Sequence, residues 1–77
     1  MEARGLAWLA AGIGAGMVTI GTGYGIGNIG ARAMEAIGRQ PEAAGDIRGA
    51  MIVSAGLIEG VAFFSLIVTI LLVVLIG

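Results

Sequence analysis

Cysteine and histidine are both absent from the 77 residues, and proline occurs once, at Pro41. Without thiols or imidazoles, disulfide frameworks, zinc sites and thiol or imidazole catalysis drop out. Charge is scarce as well, at 12% of residues against about 25% in typical soluble domains. The formal net charge of -1 leaves no basic footprint for nucleic acid. A chain of this length is one unit at most, too short for an ordinary enzyme core around a shaped pocket. It is predicted to have no catalytic site and no cofactor of its own. A complex of many copies would supply what one chain lacks.

What is present is apolar. Hydrophobic residues make up 58% of the chain and fall into two long segments. Gly5 to Ala31 is an uncharged run of 27 residues, and the stretch from Gly49 to Gly77 is broken only by Glu59. Each exceeds the roughly 20 residues needed to cross a bilayer. Lipid tolerates helices or closed barrels, and these runs lack strand alternation, so both read as helices. Between them gather Arg32, Glu35, Arg39, Glu42, Asp46 and Arg48. Pro41 cannot continue a helix interior and biases Gln40 away from helical angles, so Arg39-Gln40-Pro41-Glu42 is the predicted turn. The expected fold class is an all-α membrane protein, a two-helix transmembrane hairpin. A first helix over about 5–38, a polar loop over about 39–44 and a second helix over about 45–76 form a single unit. The apolar stripe continues through Met34, Ile37 and Ile47, so both helices are expected to outrun the hydrocarbon.

The first span does not read as a cleaved signal peptide. Met1-Glu2-Ala3-Arg4 carries little net positive charge, and the apolar run far exceeds the usual 7 to 15 residues. Arg32, Arg39 and Arg48 outnumber Arg4 across the membrane. The loop is therefore expected on the cytoplasmic side and both termini on the other.

Glu59 is the residue that composition does not explain. A charge at bilayer depth costs about 2.5 to 3.5 kcal/mol on insertion scales. Folding does not require it, so its default reading is functional. A carboxylate escapes the cost by taking up a proton, because burial disfavours the charged form. Glu59 is accordingly a candidate carrier of H⁺ or of a small cation. Phe63, four residues on, shares its helix face and can shield it.

Glycine is the second clue, at 15 residues. Gly21, Gly23, Gly25 and Gly27 alternate. At 100° per residue Gly21 and Gly25 share one helix face, and Gly23 and Gly27 share nearly the opposite one. Such a helix can be approached closely from both sides, whereas a membrane dimer needs one small-residue stripe. Folding about Pro41-Glu42 sets Glu59 opposite roughly Tyr24 or Gly25. Asn28, about one turn nearer the loop, is a candidate polar neighbour, and Tyr24 could donate its hydroxyl. Ser54 and Ser65 align poorly with the carboxylate. Gly25-Ile26-Gly27-Asn28-Ile29-Gly30 matches G-x-G-x-x-G, but that motif needs a preceding strand and a βαβ unit, for which there is no room.

Taken together, Gly21-Thr22-Gly23-Tyr24-Gly25-Ile26-Gly27, the turn Arg39-Gln40-Pro41-Glu42 and the intramembrane Glu59 resemble the c subunits (proteolipids) of rotary F-type ATP synthases. The similarity runs through nearly the whole chain in the same order and spacing. It implies a homo-oligomeric c-ring of identical hairpins in the bacterial inner membrane, surrounded by lipid, with glycine-rich helices inside and carboxylate-bearing helices outside. Glu59 would take a proton from one channel of the a subunit and release it into another. Gly23, Tyr24, Gly25, Ile26, Gly27, Phe63 and Phe64 would surround the ion site. Arg39, Gln40, Pro41 and Glu42 would meet the central-stalk subunits gamma and epsilon. Rotation would drive ATP synthesis elsewhere in the complex.

Departures from the family pattern bear on the ion. Sodium-binding members typically place glutamine at the position of Ile26 and a hydroxyl residue at that of Gly60, and many related chains have tyrosine at that of Phe64. A bare Na⁺ needs several oxygens, whereas H⁺ needs one carboxylate, so H⁺ is the expected ion. The alternatives are a sodium-translocating ring of the same type and a small passive membrane pore. A water-filled pore would usually show a polar stripe along its span, which is missing here.

Overall fold

The computed structural model describes residues 2–76. Helix α1 spans Ala3–Arg39, a single 3-10 turn follows at Pro41–Ala43, and helix α2 spans Ala44–Ile76. The arrangement is an antiparallel hairpin of 58 × 16 × 8 Å. Both helices are long and apolar enough to cross a membrane. A bilayer's hydrocarbon core is about 30 Å thick, so the hairpin projects well beyond it.

The local chemistry accounts for the break between the helices. Gln40 adopts φ -133° and ψ 72°, the departure from helical angles that a following proline imposes. Its N–H still donates to the Ala36 carbonyl at 2.9 Å, closing α1. Pro41 occupies the first position of the 3-10 turn, where its missing N–H would have had no helical partner. The Ala43 N–H then donates to the Gln40 carbonyl at 2.9 Å, completing the reversal. Arg39 lies in the last turn of α1 and Asp46 in the first turn of α2, each at the helix end whose dipole favours its charge.

Packing between the helices is shallow. Among the described residues, the buried side chains are Ala7, Ala11 and Ala33, all on α1. Large apolar side chains instead point outward, including Ile20, Leu57, Val61, Phe63 and Phe64. So continuous an apolar surface is untenable in water and marks contact with lipid or with other protein.

Two contacts fix the register. A Cβ at Gly14 would stand 3.4 Å from Thr69 Cγ2, and one at Gly25 would stand 3.2 Å from Ile58 Cδ1. Eleven residues separate the two contacts along each helix, so one register holds between them. That register sets Glu59 level with Tyr24 and Asn28 level with Ala55.

Candidate ion-carrying site

Ile58 points into α1, and its neighbours Leu57 and Glu59 emerge on opposite flanks of the hairpin. Glu59 is exposed and lies along a groove formed with Ile26, Gly30, Met51, Ile52, Ala55 and Gly56. Apart from Glu59, no titratable side chain lines this groove. The other flank carries a groove between Gly21 and Thr22 on α1 and Leu57 and Val61 on α2.

The residues expected around the carboxylate are divided by this geometry. Ile26 shares the groove with Glu59. Gly25 faces α2 and meets Ile58, one residue away. Tyr24 is level with Glu59 but is 77% exposed and does not line its groove. Gly23 and Gly27 face open space, since a Cβ on either would meet nothing within 4 Å. Phe63 and Phe64 are exposed on α2, and Phe64 lines a separate groove with Gly60 and Val61. Gly30, Met51, Ile52 and Ala55 were not singled out by sequence pattern. Their signal was helical spacing: Gly30 is four residues from Ile26, and Ile52 and Ala55 lie seven and four before Glu59.

Three hydroxyl groups elsewhere in the spans bond their own helices. Thr19 donates to the Ala15 carbonyl at 2.8 Å, Ser65 to the Val61 carbonyl at 3.0 Å, and Thr69 to the Leu66 carbonyl at 2.7 Å. Among the described residues, neither Glu59 nor Asn28 has a hydrogen-bond partner within the chain. At the far end, the Arg4 guanidinium carbon stands 5.9 Å from the Trp8 ring centroid. This is a cation–π arrangement suited to a membrane interface. At the turn, Arg39, Gln40, Pro41 and Glu42 are all exposed.

Comparison with known proteins agrees with this architecture. The family of ATP synthase C-subunits matches residues 9–72. The ATP synthase c-subunit of Bacteroides thetaiotaomicron is 59% identical over 69 residues, covering 90% of this chain and 81% of the relative. That of Dehalococcoides mccartyi is 44% identical over 73 residues, covering 95% and 96%. That of Nostoc is 42% identical over 64 residues, covering 83% and 79%. A family match over most of the chain, on a hairpin of two membrane-length helices, leads to one assignment: the chain belongs to the ATP synthase c-subunit family.

Proposed function

We propose that this chain is the proton-carrying rotor subunit of a bacterial F-type ATP synthase, with Glu59 as the carrier. The observation that carries this reading is a lone carboxylate, exposed at mid-span and lined otherwise by apolar and small residues. A permanent charge there would be costly in lipid. A proton neutralises it for passage through the hydrocarbon, and an aqueous channel beside a fixed cation would draw the proton off again. Reversible protonation is thus the chemistry that one carboxylate can perform unaided.

Copies of the hairpin form a closed ring, with α1 inside and α2 outside. The a subunit supplies the two access channels and an arginine that favours the ionised carboxylate. Arg39, Gln40, Pro41 and Glu42 extend beyond the hydrocarbon to meet the gamma and epsilon subunits of the central stalk, with the turn on the cytoplasmic face. Ile26, Gly60 and Phe64 bring no side-chain oxygen to Glu59, which favours H⁺ over Na⁺.

The decisive experiment is Glu59→Gln. The amide matches the protonated acid in shape, so the ring should assemble while coupled proton pumping in membrane vesicles disappears. Pumping retained by this variant would sink the assignment of Glu59.

A further inference from the structure

We propose that Asn28 of one copy enters the Glu59 groove of the next copy and donates a side-chain hydrogen bond to its carboxylate, so that each proton site is completed by its neighbour. This rests on the ring assembly proposed above and adds a residue to it.

Three observations converge on Asn28. First, it occupies the flank opposite Glu59. Asn28 follows Gly21 by seven residues, two helical turns, and therefore shares its side of α1. Gly21 lines the groove with Leu57, whereas Ile26 and Gly30 line the groove with Glu59. In a ring, neighbours meet head to tail, so each Leu57 flank faces the next copy's Glu59 flank.

Second, the heights agree. Rotation about the membrane normal preserves depth, and the register puts Asn28 level with Ala55, which lines the Glu59 groove. Glu59 lies one turn, about 6 Å, further from the loop. Side chains lean toward the N-terminus of their own helix. In this antiparallel hairpin Asn28 therefore leans away from the loop and Glu59 leans toward it. The two tilts close the gap in height.

Third, both groups need a partner. Asn28 is an exposed amide in the apolar span, without a hydrogen bond in its own chain among the described residues. A polar group left unpaired in hydrocarbon is expensive. On the receiving side, Glu59 is the one titratable group of a groove whose α1 edge includes Gly30, a position open enough to admit another side chain. The amide NH₂ donates to the ionised carboxylate, and its carbonyl can accept from the protonated acid. Asn28 is thus a positioning residue that serves both states.

The test uses assembled rings. The chain has no cysteine, so Asn28→Cys combined with Gly30→Cys creates the only thiols. Two positions apart on a helix, these side chains diverge by about 200° and cannot bridge within one chain. Oxidation should therefore give a ladder of covalent multimers. Infrared difference spectra, assigned with Glu59→Gln, should show the Glu59 carboxyl stretch moving to higher wavenumber in Asn28→Leu and returning toward its original position in Asn28→Gln. Proton pumping should fall about tenfold in Asn28→Leu, the scale of one hydrogen bond to a charged group, with partial recovery in Asn28→Gln. If Asn28→Leu does not assemble, Asn28→Ala takes its place in the same measurements. Intact rings that give no ladder, or an unmoved carboxyl band, would overturn the proposal. Because Glu59→Gln is scored separately, loss of the Asn28 contact and loss of the rotor reading remain distinct results.

Discussion

At the scale of the residue, Glu59 and Gly25 divide the work. Ile58 holds the turn of α2 against Gly25, and this contact turns the next residue, Glu59, out onto one flank. An apolar, carboxyl-reactive carbodiimide should label Glu59 selectively, because it is the one side-chain carboxyl group within the two long apolar runs. Excess NaCl at constant ionic strength should give little protection, because Ile26, Gly60 and Phe64 offer no side-chain oxygen. Mass spectrometry of the labelled chain reads both effects, and strong selective protection by Na⁺ would replace the ion while leaving the ring. The candidate carrier was legible from sequence because one acid in a long apolar run is chemically isolated. Its surroundings were less so. Counting from Pro41 reaches the right depth, but depth does not give direction: Tyr24 stands at the level of Glu59 and points elsewhere.

At the scale of the element, the glycines of α1 separate into two kinds. Gly14 and Gly25 make room within the hairpin, whereas Gly12, Gly16, Gly23 and Gly27 present bare backbone outward. Gly25→Leu should therefore loosen the hairpin itself, by about 1 to 3 kcal/mol for a crowded contact. Gly23→Leu should leave the hairpin intact and block close approach of another helix. Native mass spectrometry distinguishes them: Gly23→Leu should yield folded chains that fail to form rings, and an unchanged copy number would contradict the assigned role. Alternation in the sequence implies that α1 can be approached from both sides. It did not say which side belongs to the hairpin, since that depends on where Ile58 and Thr69 reach across. The turn was legible for a simpler reason, because Pro41 acts on Gln40 through covalent geometry alone. Replacing Gln40 or Glu42 should weaken coupling to the stalk, so ATP hydrolysis persists while proton pumping falls in the same vesicles. Normal values of both in each variant would reduce the turn to a solvated cap.

At the scale of the whole molecule, 58 Å of hairpin in a hydrocarbon layer about 30 Å thick leaves the charged end well clear of lipid. The opposite end carries Trp8, the chain's one tryptophan, beside Arg4. Its fluorescence should be quenched more strongly by spin labels near the lipid headgroup than by labels deep in the acyl chain. Preferential deep quenching would shift the hairpin along the membrane normal and with it the depth of Glu59. The hydroxyl groups on the terminal side of Glu59 carry a further consequence. Thr19, Ser65 and Thr69 each spend their proton on a carbonyl of their own helix. Thr22, the other threonine of this half, lines the groove on the flank away from Glu59, so these hydroxyls form no continuous path along the hairpin to the carboxylate. On the proposed reading, a proton does not reach Glu59 along the hairpin's own side chains. It would be delivered from the side and would advance as the carboxyl group is itself carried round.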